Sequence, residues 1–160
     1  MENELANWQE LSKDFTLDEF IISQSAERLG YDNTPDEFEC FNLCELCCEV
    51  LQPLRDMVGL PVIISSGYRS LEANAAVGGS HNSQHMEGQA ADFTIPGMSL
   101  EKVFNTIFKN LPYDQLIFEF GKWIHVSYNF YEANRKQAMI STRVSGKTVY
   151  DVVGKELKIT

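Results

Sequence analysis

The chain has 160 residues, 44% of them hydrophobic and 22% charged, which suits one domain with an ordinary buried core rather than two. Its 23 acidic against 13 basic residues give a formal charge of −10, which argues against nucleic acid as a partner, because phosphates reward Lys and Arg, and an anionic lipid surface is repelled. Residues 1–10 have neither a basic n-region nor an apolar h-region, and no stretch is long and apolar enough to span a bilayer; the expectation is a cytoplasmic chain that meets anything outside the cell only after another protein releases it.

Residues 1–14 are polar and aperiodic, a flexible arm ahead of a domain over 15–160. Thr16-Leu17-Asp18-Glu19 has the form of a capping box for a short helix, and a second short helix over 25–29 stops at Gly30. A longer helix begins at Thr34-Pro35-Asp36-Glu37, with Thr34 as the cap and Pro35 at the first helical position. Its apolar stripe is Phe41, Cys44, Cys48, Leu51 and Leu54, with a kink at Pro53 and an end near Gly59. Strands are expected over 61–65 and 88–95, with a small helix over 70–77 between them that Gly78-Gly79 stops. Ser99 caps a helix running to about residue 110 that turns Val103, Phe104, Ile107 and Phe108 inward. Two apolar runs, 115–120 and 123–128, flank Gly121-Lys122 as a hairpin, and weaker strands follow over 138–142 and 148–152. Helices early and antiparallel strands late imply an α+β fold, with a central antiparallel sheet and helices packed on one side.

Cys40, Cys44, Cys47 and Cys48 are the only cysteines, and they fall at helical spacing. Neighbours on a helix face sit about 5–6 Å apart at Cβ, farther than a disulfide prefers, so reduced thiols that fill a buried face explain them most simply. Cys44-x-x-Cys47 also has the spacing of thiolate metal ligands, and a Cys-based metal or redox protein is the least favoured function.

The histidines are His81, His85 and His125. His85 precedes Asp92 across small residues that let the backbone turn tightly, and His125 lies in the hairpin. Two imidazoles and one carboxylate suit a single Zn²⁺ that keeps a fourth position open, the arrangement of catalytic zinc. His81, four residues before His85, lies among Gly and Asn-Ser where a helix is unfavourable, and is taken as exposed or supporting.

Ser83-x-His85 with Asp92, the run Ser66-Gly67-Tyr68-Arg69, and Trp123-Ile124-His125-Val126 together resemble the D-alanyl-D-alanine carboxypeptidase-like zinc peptidases, the M15 peptidases, and most of all their phage and prophage subgroup. The resemblance implies a hedgehog or D-Ala-D-Ala peptidase-like fold with a zinc groove across the sheet. It implies His85, Asp92 and His125 as metal ligands, Arg69 facing the scissile carbonyl, and Ser83 contacting the peptide's terminal carboxylate; Tyr68 beside Arg69, and Trp123 in the aromatic hairpin, are read as further substrate contacts. The expected reaction is hydrolysis of an amide in peptidoglycan peptides by zinc-activated water, as a D-Ala-D-Ala carboxypeptidase or a lysin-type endopeptidase. In the family an acid three residues before the last His is the usual base, and Lys122 stands there. Glu119 is the substitute, provided the hairpin loop has an odd number of residues, since side chains alternate faces along a strand. Asp114 and Glu87 are weaker candidates, and without a base the alternative is a catalytically silent zinc-binding or wall-peptide-binding module.

Overall fold

Alternation along four neighbouring strands decides the architecture. The computed structural model describes residues 7–159. The strands are β1 (Glu10–Ser12), β2 (Phe15–Thr16), β3 (Ile63–Ser66), β4 (Ala90–Thr94), β5 (Gln115–Glu119), β6 (Trp123–Ser127), β7 (Gln137–Val144) and β8 (Lys147–Val152). The helices are α1 (Asp18–Ile21), α2 (Gln24–Leu29), α3 (Glu37–Leu46), α4 (Gln52–Val58), α5 (Leu71–Ala76) and α6 (Leu100–Asn110), with a π-helical turn, Cys47–Leu51, joining α3 to α4.

The last six strands form one mixed sheet in the order β3-β4-β6-β5-β7-β8. Every pairing is antiparallel except β5 with β7, because the chain leaves β6, passes beyond β5, and returns along its far side. Period-2 alternation puts Ala91, Phe93, Leu116, Phe118, Ile124 and Val126 on the face that α6 covers, all within the core. Phe104 of α6 meets Phe118 edge-on with ring centroids 6.4 Å apart. Asp92, Ile117, Glu119, His125, Met139 and Ser141 therefore share the opposite face, and that face carries the polar cluster described below.

Several local expectations change. Residues 1–6 of the expected arm lie outside the described residues, whereas residues 10–12 pair with β2, and Leu11 is buried in the core. Asp36, not Thr34, caps α3: its carboxylate accepts from the amides of Phe38 and Glu39 while Glu39 reaches back to the Asp36 amide at 2.6 Å. Proline confines the residue before it to extended geometry, which leaves Thr34 outside the helix.

The buried stripe of this helix is Cys40, Leu43, Leu46, Cys47 and Val50, one position away from the expected stripe through residue 48, and Cys48 is exposed. Pro53 has no amide to bond the carbonyl of Glu49, and the turn just ahead of it widens, with the Gln52 amide reaching five residues back to Cys47.

Candidate metal centre

Asp92 and His125 are direct cross-strand partners on β4 and β6, a pairing that holds Cβ atoms about 5 Å apart on one face. Ile117 of β5 lies opposite His125, so the pair sits mid-sheet rather than at an edge. His85 arrives from the loop between α5 and β4. That loop is fastened to the segment after β3: the Arg69 amide donates to the His85 carbonyl at 3.1 Å, and His85 Nδ1 contacts the Gly67 carbonyl at 2.7 Å. Gly88 closes the loop with φ +68°, and a Cβ there would lie 2.4 Å from the Glu39 carbonyl oxygen, so only glycine fits.

The three side chains converge, with one ligand atom from each lying within 4.8 Å of the others. His125 Nδ1 is 2.8 Å and His85 Nε2 3.3 Å from the same carboxylate oxygen, Asp92 Oδ1. A carbonyl only accepts, so the Gly67 contact places the proton of a neutral His85 on Nδ1 and leaves the Nε2 lone pair facing a carboxylate. Lone pair facing lone pair is unfavourable unless a cation stands between, and this donor set fits a single divalent ion.

Burial depresses the His85 pKa and favours the neutral ring that can ligate. Burial alone would raise the Asp92 pKa, but the positive charge and N–H donors of the His85 and His125 rings, when those rings are protonated, hold it well below the usual carboxylate range. Arg69 Nη2 donates to the other oxygen, Asp92 Oδ2, at 3.1 Å, and Arg69 Nε donates to Ser66 Oγ at 3.0 Å. The guanidinium thus orients the carboxylate from behind while its edge lines a cavity of about 720 Å³ in front of the triad.

Glu119 lines the same cavity. The hairpin loop is Phe120-Gly121-Lys122, three residues, with Glu119 opposite Trp123, so Glu119 shares the face of His125. Phe120 and Gly121 both take positive φ to close it. The Ser141 hydroxyl donates a short hydrogen bond to Glu119 Oε2. Ser83 and Trp123 line the cavity as well, and the buried Trp123 Nε1 has no hydrogen-bond partner among the described residues.

Other expected site residues stand elsewhere. Tyr68 is 8% exposed, belongs to the core cluster, and is not part of the cavity wall; burial pushes its hydroxyl up to about 12. The Ser-Gly-Tyr-Arg run alternates, so with Arg69 at the cavity Tyr68 turns inward. Asp114 is buried under Arg135, and Glu87 and His81 are exposed. The cysteines are free thiols, and burial raises Cys40 and Cys44 to about 11. Cys44 and Cys48 point at the Leu11 carbonyl, and among the described residues the cation-sized cluster is the His-Asp-His triad. The sequence reading missed the wall that β7 and β8 contribute, Met139, Arg143 and Tyr150, together with Arg135 ahead of β7, and it missed Ser141 behind Glu119.

A family model described as Peptidase M15 matches residues 13–127. The chain belongs to the peptidase M15 family. Every triad residue, Arg69 and Glu119 of this M15 chain fall inside the matched stretch, whereas β7 and β8 follow it. The zinc D-Ala-D-Ala carboxypeptidase of Streptomyces albus G is 46% identical over 43 residues, 26% of this chain and 17% of that protein. The alignment therefore spans less than a fifth of the relative's length.

Proposed function

We propose that this M15 chain is a zinc peptidase that hydrolyses an amide bond in bacterial cell-wall peptides, acting as a D-Ala-D-Ala carboxypeptidase or a lysin-type endopeptidase. The observation that carries the reading is a buried His85-Asp92-His125 cluster whose ligand atoms lie within 4.8 Å of one another, with Glu119 on the same sheet face. His85, Asp92 and His125 would hold the ion, and zinc bound there supplies Lewis acidity and brings the pKa of water near 7.

The protein's own groups supply the rest. Glu119 takes the proton of the attacking water and returns it to the leaving amine, while Ser141 fixes the carboxylate's rotamer. Arg69, clamped between Ser66 and Asp92, keeps Asp92 aimed and presents positive charge where the carbonyl oxygen becomes negative. Trp123 offers ring surface at the cavity wall for a substrate side chain, and Ser83 a hydroxyl to the peptide's carboxylate.

Metal analysis and digestion of purified muropeptides, with products read by mass spectrometry, test this directly. The wild type is expected to hold one zinc and cleave, His85→Ala to lose the metal, and Glu119→Gln to keep the metal while turnover falls by about a hundredfold or more. Lys122, exposed at the place of the usual base, favours a silent zinc-binding module instead; zinc retained with no muropeptide cleaved would establish that alternative.

A further inference from the structure

The family match ends at residue 127, yet the cavity continues onto β7, β8 and the connection before them. In this chain of charge −10, three of the five arginines, Arg69, Arg135 and Arg143, line the one cavity that contains the triad, and no lysine does. Two of the three come from the segment beyond the match. Their placement follows from register: Met139 lies beside Ile117, which lies opposite His125, so Arg135 and Arg143 stand four residues to either side of the metal triad. Along β7 the four residues from Met139 to Arg143 span about 13 Å of extended chain, whereas Arg135 lies ahead of the strand, across Lys136 at φ +51°.

Each arginine is held in position. Arg135 donates from its backbone amide, Nε and Nη2 to the buried carboxylate of Asp114, with Nη2 to Oδ2 at 2.6 Å, and Gln84 Nε2 donates to the same carboxylate at 3.0 Å. Arg135 Nη2 also reaches Gln84 Oε1 at 3.5 Å, and Nη1 has no partner among the described residues. Arg143 pairs with no acid among the described residues; its guanidinium lies over Phe120, 5.5 Å from the ring centroid, and Nη1 reaches only the Gly146 carbonyl at 3.4 Å. Among the described residues Arg135 thus keeps Nη1 free and Arg143 keeps Nε and Nη2 free, and guanidinium donors left open in this way receive carboxylates.

We propose that β7 and its flanks form a specificity wall that selects acidic peptides, with Arg135 and Arg143 receiving side-chain carboxylates of the bound peptide from the two ends of that wall. This rests on the peptidase reading above and names the substrate class of the same cavity.

The test reads binding apart from turnover. A synthetic wall pentapeptide with free side-chain carboxylates, and the same peptide with those groups as carboxamides, are titrated calorimetrically into the zinc-loaded chain carrying Glu119→Gln. The acidic peptide is expected to bind about tenfold tighter or more, with an advantage that shrinks as salt is raised. Arg143→Gln removes part of that preference and leaves the amidated peptide's affinity unchanged. Arg135→Lys, which keeps the charge but not the fork, removes another part. Equal affinities for the two peptides, or an Arg143→Gln loss common to both, overturns the proposal. Because Arg143 is exposed and has no acidic partner among the described residues, its variant decides the matter even if Arg135→Lys fails to fold. Absence of muropeptide cleavage by the wild type counts against the peptidase reading alone, since the affinities are read without turnover.

Discussion

Gly88 and Gly30 both sit at positive φ, +68° and +72°, yet they differ in what surrounds them. A methyl on Gly30 meets nothing within 4 Å, so Gly30→Ala carries only the left-handed backbone cost, about 1 kcal/mol. A methyl on Gly88 strikes the Glu39 backbone, so Gly88→Ala is expected to cost about 2 kcal/mol or more and to displace His85 three residues away. Thermal unfolding of the two variants, with zinc affinity measured alongside, should show both losing stability and only Gly88→Ala losing metal affinity; equal effects would mean that the loop does not position His85. Ser141→Ala belongs at the same scale. It frees Glu119 to rotate, and kcat is expected to fall about tenfold with KM little changed, measured by steady-state kinetics on a cleaved muropeptide. The triad was legible because histidine is scarce in the chain and its spacing to Asp92 is chemically specific. Ser141 and the Asp114–Arg135 clasp were not, because an isolated Ser or Arg carries no signal until register assigns it a neighbour.

At the scale of elements, Asp36 Oδ1 accepts from two amides at the start of α3, and replacement of Asp36 by Ala leaves the amides of Phe38 and Glu39 without that partner. A loss of about 1 kcal/mol is expected, read as a denaturation midpoint shifted at unchanged slope. Most element positions were readable, since their stops are chemical: Gly30 and Gly59 end α2 and α4 in the left-handed region, and Ser70 and Ser99 accept from the third amide of α5 and α6. The phase of α3 was not. A stripe counted at 3.6 residues per turn assumes an unbroken α-helix, and the wider turn at Cys47–Leu51 breaks that count, which moved Cys48 from the expected core to solvent. Hairpin parity was readable only as a condition. Three loop residues put Glu119 beside His125, and two would have turned it away.

For the molecule as a whole, the parallel β5–β7 pair was hidden because nothing local distinguishes a strand that returns beside its neighbour from one that returns beyond it. That topology places the triad amid six strands, with donors from β4, β6 and a loop tied to the end of β3. An ion held there joins three segments that meet only in the folded state, so it stabilises the fold by linkage: zinc at a hundred times its dissociation constant adds about 2.7 kcal/mol. For a chain of this length each kcal/mol moves the unfolding temperature by about 2–4 °C. Removal of zinc by a chelator is therefore expected to lower the midpoint by about 5–10 °C, and restored zinc to reverse it. His85→Ala should already sit at the lower value and respond to neither addition. A midpoint indifferent to chelator in the wild type would mean that no ion occupies the cluster, and with it the reason for burying two imidazoles against one carboxylate oxygen would be gone.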